Sequence, residues 1–339
     1  MALSLSGEAV GRTTDGLPRY FGNLNNFFEY HNKQAIVYSF FFAKMITAKE
    51  KEGGRMKLGI LSDIHGNYEA FKACLDYMEK EKVDRYILLG DYVGEFPNPE
   101  MTFGLIHGLM NRKKCYVLKG NKEEYIERGL GANHPEWDSY TSIVGMLRYA
   151  YDHVTGRDRD FIKSLPITDV VKIEGMPSIR ICHGAPWKSN VHFDKVTDEE
   201  VASVEEDVII FGHTHEQYAK NRCGKTIYNP GAVGLNLNSD PVGCCMILHA
   251  EYGTWRPEFL EIEYNVQKEI DAMERDNLFS IAPYWSIVTL DILKGGGVWH
   301  GSVLEYAMRL CKNETGECEW PKIPEKYMQK AVSDLVFLD

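Results

Sequence analysis

From Lys57 onward, short apolar runs alternate with amphipathic stretches. Residues 57–62, with Leu58, Ile60 and Leu61, read as a buried strand. A helix is predicted next, because Ala70, Phe71, Leu75 and Met78 recur at helical spacing and share one face. Residues 85–89 form the next apolar run, 101–110 a second helical pattern, and 115–118 a third strand. Strand and helix in alternation imply a parallel sheet with helices on its faces.

The pattern changes over residues 123–166, which look helical and are rich in aromatic and charged positions. This stretch reads as an inserted helical layer. Beyond Pro166 the apolar runs crowd together at 169–173, 179–182, 208–211, 226–228, 243–248 and 258–263, separated by Gly- and Pro-bearing turns. From about residue 266 a helical tail follows, interrupted by Gly295-Gly296-Gly297. The predicted class is α/β: a layered β-sandwich flanked by helices over residues 56–265, carrying the helical insert, then a helical C-terminal tail over 266–339. Residues 1–55 show no clean period. The segment Lys51-Glu52-Gly53 can be encoded by a ribosome-binding sequence at a short distance before Met56. Our expectation is therefore that Met56 is the natural start. The alternative is a genuine N-terminal extension.

Composition narrows the class. The chain has 339 residues, 44% apolar and 26% charged, as an ordinary globular protein does. A net charge of −11 argues against a protein that coats a nucleic-acid backbone, which needs basic surface. The apolar stretch at residues 35–42 is too short to cross a bilayer, so no membrane partner is expected. Eight cysteines without a Cys-x-x-Cys pair read as free thiols in a reducing cytoplasm. Cys311 and Cys318 are close enough in sequence to bridge or bind zinc, but nothing nearby completes a tetrahedral set.

Five short pieces carry the candidate chemistry, each at the end of a predicted strand. They are Asp63-Ile64-His65-Gly66-Asn67, Gly90-Asp91, Gly120-Asn121-Lys122-Glu123, His183-Gly184 and Gly212-His213-Thr214-His215. Ligands gather where strands end, because the chain opens into a crevice there. Any one piece is weak evidence, since Asp-x-His and Gly-Asp arise often by chance. In conjunction they supply His, Asp and Asn without a thiolate, a mixed N and O set that suits Mn²⁺, Fe or Zn²⁺. One carboxylate between two ligand sets can bridge two ions, and Asp91 holds that middle position. Ions about 3.5–4 Å apart stabilise both oxygens of a phosphoryl displacement.

These pieces, in this order, resemble the calcineurin-like metallophosphoesterase superfamily, in particular its small bacterial phosphodiesterase-type branch. The resemblance covers Lys57 to about Tyr264 and includes the turn Asn229-Pro230-Gly231-Ala232-Val233-Gly234. It implies a β-sandwich flanked by helices and a site for two divalent ions, Mn²⁺ first, with Fe, Zn²⁺ or Ni²⁺ as alternatives. Asp63, His65 and His215 would bind one ion. Asn121, His183 and His213 would bind the other, and Asp91 would join them. A bridging hydroxide would attack phosphorus in line.

The chain departs from the family pattern twice. Many relatives carry a His or Asp after the Asn of the third piece, where this chain has Lys122. The Gly-Asp piece continues as Tyr92-Val93-Gly94-Glu95 and lacks the Asp-Arg-Gly run of protein phosphatases. Lys122 is therefore read as a proton donor or a phosphate clamp, the alternative being a solvated side chain. If it points inward, two dications should lower its pKa. Asn67 either shapes its loop or faces the substrate. Glu123 either orients Lys122 or begins a helix. Lys119 and Arg112 read as solvated charges, and Trp187 and His192 as loop packing or pocket lining. The expected function is metal-dependent hydrolysis of phosphate esters, a phosphodiesterase first, on a small molecule or nucleotide. A phosphomonoesterase or protein phosphatase is the alternative, with a diadenosine-polyphosphate hydrolase third. From a different class, a binding or scaffolding protein would keep the fold without turnover.

Overall fold

The computed structural model describes residues 56–336, apart from positions 131, 133, 134, 238 and 239. The expectation about Met56 and residues 1–55 thus falls outside the described residues. Two five-stranded mixed sheets pack face to face. The first has the order β10-β9-β1-β2-β3, where β1 is Lys57–Leu61, β2 Arg85–Leu88, β3 Lys114–Val117, β9 Val242–Glu251 and β10 Thr254–Glu263. The second has the order β4-β5-β6-β8-β7, where β4 is Thr168–Val171, β5 Ile179–Cys182, β6 Val208–Ile210, β7 Gln217–Arg222 and β8 Lys225–Pro230. The parallel sheet expected from the first half is realised in β1, β2 and β3, but β9 and β10 extend it antiparallel.

Period-two alternation decides which face each strand residue serves. Leu58 and Ile60 of β1, Ile179 and Ile181 of β5, and Val208 and Ile210 of β6 meet in one cluster between the sheets. Their neighbours point outward: Leu61 joins the helices on the first sheet, while Ile209 and Cys182 join a cluster with Phe193 and Phe211. The helix Tyr68–Lys80 covers the first sheet with Ala70, Phe71, Cys74, Leu75 and Met78. At Gly59 a Cβ would lie 2.6 Å from the Met78 sulfur, so glycine lets the helix side chain settle close on the strand.

The insert contains the helices Asn121–Glu127, Thr141–His153 and Gly156–Ser164, and the tail contains five more, from Val266–Arg275 to Glu325–Leu335. Insert and tail share their own apolar core, in which Ile143, Val144 and Met146 meet Val288, Val303 and Met328. The tail is thus packed onto the insert, beside the ends of the first-sheet strands. The sequence reading missed β7. This edge strand is polar and largely exposed, so it lacks the apolar alternation that marks a half-buried strand. Among the described residues, no helix is long and apolar enough to cross a membrane.

Candidate metal centre

The loops after β1, β2, β5 and β6 are tied to one another by backbone hydrogen bonds. Asp63 N–H donates to Gly90 O at 3.1 Å and His65 N–H to Asp91 O at 2.9 Å. Gly212 N–H donates to His183 O at 2.8 Å. The Asn229–Gly234 turn locks the two sheets together here: Gly234 N–H donates to Asp63 O, and Asn229 Nδ2 donates to Gly212 O. This network holds an unfavourable backbone. Asp63, His65, Asp91, His213 and His215 all have positive φ, between 53° and 65°. Left-handed backbone costs a non-glycine residue on the order of 1–2 kcal/mol. Such residues gather where the surroundings over-determine them, often at functional sites.

Two clusters of donors result. Asp63, His65 and His215 form one, and Asp91, His183 and His213 the other; within each, the ligand atoms lie within 4.8 Å of one another. Asn121 joins the second, its Oδ1 3.1 Å from His183 Nε2. Asp91 faces both, with Oδ2 3.4 Å from His183 Nε2 and 3.9 Å from His65 Nε2. The other Asp91 oxygen accepts from Lys122 N–H at 2.8 Å. At Gly212 a Cβ would meet Ser62 Oγ at 2.0 Å and Asp63 Oδ2 at 2.8 Å, so only glycine lets this loop approach Asp63.

The residues fit a metal on three grounds. Asp63 is fully buried and its Oδ1 has no hydrogen-bond partner, although it lies 3.4 Å from His215 Nε2. A buried carboxylate oxygen without a protein hydrogen-bond partner fits a site that takes a cation. The ring tautomers are set correctly as well. His183 Nδ1 donates to Leu89 O at 3.0 Å and His215 Nδ1 to Leu235 O at 2.6 Å. A carbonyl can only accept, so the neutral form of each ring carries its proton on Nδ1 and presents Nε2 inward, the tautomer that binds a metal. Finally, the field favours positive charge. Burial opposes the charges of Asp63 and Asp91, but the imidazoles outweigh it and hold both carboxyls below their ordinary range. Burial also opposes a charged His183, yet Asp91 and Asp63 push it up to about 9. His213 moves the other way, down to about 3, through burial and the neighbouring His183.

Several residues around the centre take roles that the sequence left open or missed. Asn67 lies in the wall instead of facing a substrate. It is fully buried, accepts from Ala70 N–H as a helix cap, and donates to Gly234 O and Tyr264 Oη. Glu123 begins its helix but does not orient Lys122. Its carboxylate accepts from the backbone N–H groups of Asp91, Tyr92 and Gly120 at 2.7–2.9 Å and so clamps the Asp91 loop. Burial and the charge of Asp91 push Glu123 up to about 7. Lys119 is not solvated: it is buried and paired with Glu127 at 2.5 Å. Arg112 is exposed and pairs with Glu79. His192 packs edge-on against His213 with ring centroids 4.8 Å apart, and Trp187 is exposed.

Lys122 is not solvated either. Its ammonium donates to Glu95 Oε1 at 2.6 Å, and only 16% of its side chain is exposed. The protein's own groups act opposite to the expected repulsion by dications: burial disfavours the charge, but Glu95 and Asp91 outweigh burial and raise the pKa. Glu95 is the residue that the sequence did not single out. It is buried, its Oε2 lies 2.5 Å from His65 Nδ1, and its Oε1 also accepts from Trp285 Nε1 at 3.3 Å.

Comparisons with known proteins identify the family and the fold. Residues 56–253 match the model of the calcineurin-like phosphoesterase superfamily domain. An uncharacterized protein of Methanocaldococcus jannaschii is 23% identical over 246 residues, which are 67% of this chain and 94% of that protein. Among solved structures, a hypothetical protein from Pyrococcus horikoshii OT3 shares the fold at a TM-score of 0.57 and 19% identity, covering 68% of this chain and 97% of that one. A metallophosphoesterase from Sphaerobacter thermophilus does so at 0.52 and 20%, covering 68% and 99%. The candidate metal-binding groups therefore lie within a domain of metal-dependent hydrolases, and the chain belongs to the calcineurin-like phosphoesterase superfamily.

Proposed function

We propose that the enzyme is a phosphodiesterase working with two divalent ions, Mn²⁺ first among them. Asp63, His65 and His215 hold one ion, Asn121, His183 and His213 the other, and Asp91 lies between. The observation that carries this reading is the pair of donor clusters facing one carboxylate. Bound ions supply the positive charge that stabilises the attacking and leaving oxygens of a phosphoryl displacement.

The chain's own groups do the rest. Asp91 links the two halves and is itself held by Lys122 N–H and the Glu123 clamp. Glu95 orients the His65 ring, as a carboxylate behind a metal-binding imidazole does. Lys122, kept charged by Glu95, attracts a phosphate oxygen and steadies the leaving group. Hydrolysis forms a bond from water oxygen to phosphorus, breaks the bond to the ester oxygen, and releases the alcohol with a proton. Eight free cysteines fit a reducing compartment such as the cytoplasm.

The test is metal analysis joined to turnover. Purified protein should carry about two ions per chain. Chelation should abolish hydrolysis of a nitrophenyl phosphodiester, and Mn²⁺ should restore it. Full activity in metal-free protein would overturn the mechanism. Faster turnover of the matching monoester would replace phosphodiesterase by phosphomonoesterase.

A further inference from the structure

Insert and tail enclose a cleft of about 280 Å³. One part of its lining is polar and consists of Glu95, Asn121 and Lys122. Asn121 also stands beside His183 of the second donor cluster, so the cleft adjoins the candidate metal centre. Another part is aromatic. Tyr125 comes from the insert, and Trp285 and Trp320 come from the tail. The Tyr125 and Trp320 rings stand 5.3 Å apart at a tilt of 40°. Trp285 is anchored by its hydrogen bond to Glu95. Leu147 and Leu304 add aliphatic surface.

We infer that this cleft receives the organic group of the substrate and selects a flat, unsaturated ring system about the size of one nucleobase. The inference rests on the phosphoesterase reading and names its substrate class. Three observations lead to it. Its lining joins polar and cationic groups, among them Asn121 beside the metal centre, to apolar rings. The volume falls just below the ~300–1,000 Å³ of pockets for drug-sized ligands, which suits one ring system. Three aromatic side chains line the cleft, Tyr125 against Trp320 and Trp285 against His300, and a flat base stacks on such rings irrespective of its hydrogen-bonding pattern. Trp285 and Trp320 both lie beyond residue 253, where the match to the family model ends. Specificity for the ring thus comes from the tail, which this chain adds to the family domain.

Two measurements on the full chain test the inference. In the first, metal-free protein is titrated with adenosine while tryptophan fluorescence is followed. A saturable change is expected, weakened about tenfold in Trp320→Leu and largely kept in Trp320→Phe. In the second, the Mn²⁺-loaded enzyme hydrolyses methyl phosphodiesters bearing either a benzyl or a cyclohexylmethyl group, whose leaving alcohols are similar in acidity. The wild type should favour benzyl in kcat/KM by about tenfold, and Trp320→Leu should bring the ratio near one. If Trp320→Leu does not fold, Tyr125→Leu on the insert reads the same ratio. Equal rates on the two esters, or no response to adenosine, would overturn the inference while leaving the phosphoesterase reading intact. Failure to hydrolyse any ester despite saturable adenosine binding would refute the phosphoesterase reading and support the cleft.

Discussion

Glu95 Oε2 lies 2.5 Å from His65 Nδ1, on the side of the ring opposite the nitrogen that faces Asp63 and His215. The same carboxylate binds Lys122 and the Trp285 indole, so one buried residue connects a candidate metal ligand, a candidate substrate contact and the C-terminal tail. Removing a carboxylate behind a metal-binding imidazole typically costs 10–100-fold in metal affinity. Glu95→Gln should therefore bind Mn²⁺ roughly 10–100-fold more weakly, measured by competition with a chelator, with the fold retained by circular dichroism. Unchanged affinity would mean that Glu95 serves packing alone.

Lys122 should act as a clamp. With Glu95 keeping it charged, its loss should slow alkyl and nitrophenyl esters alike, each by roughly a hundredfold in kcat/KM. A selective loss on alkyl esters would instead make it the proton donor, because an alkoxide needs protonation and a nitrophenolate does not. No change on either would leave it a structural ion pair.

Asp91 and Asn67 should separate function from stability. Asp91→Asn removes the charge that faces both clusters and should abolish most turnover while the chain stays folded. Asn67→Ala removes a buried cap and two donated hydrogen bonds, so it should lower unfolding stability by roughly 1–3 kcal/mol with activity largely kept. Denaturant unfolding and kcat/KM on both variants decide the matter; the reverse pattern would overturn both assignments.

Glu269 should give the protein a pH-dependent weakness away from the metal centre. It is fully buried, accepts from Asn98 Nδ2 at 3.1 Å and Glu69 N–H at 3.4 Å, and burial pushes it up to about 7. Because the folded state holds this proton more tightly than the unfolded chain, its contribution is full below about pH 4.5 and is lost as pH rises through 7. The loss should approach a few kcal/mol, at roughly 1.4 kcal/mol per pKa unit. Glu269→Gln should flatten the stability profile between pH 5 and pH 8, scanned in about half-unit steps by thermal melting. An identical slope in the variant would assign it to another group.

A chain beginning at Met56 should melt and turn over like the full one. The motivation is the ribosome-binding sequence that Lys51-Glu52-Gly53 can encode. Aggregation of the shorter chain, or a lower melting temperature, would establish residues 1–55 as part of the folded protein.

The sequence alone determined the elements with a strong local signature. Short apolar runs located nine of the ten strands among the described residues, because a residue buried between sheets must be apolar wherever the chain goes next. The five short pieces that carry the candidate donors stood out because metal binding restricts residue type and the ends of strands restrict position. The family resemblance already divided the donors into two sets, and only the tertiary structure decided which groups support them. Glu95, Glu123, Asn67 and Lys119 are ordinary polar residues in sequence, and their roles depend on partners brought from elsewhere. Trp285 meets Glu95 across 190 positions and Asn67 meets Gly234 across 167. The cleft has the same origin, since neither the insert nor the tail encloses it alone. Strand β7 stayed hidden for the opposite reason: an edge open to water needs no apolar code, and only its pairing with β8 makes it a strand.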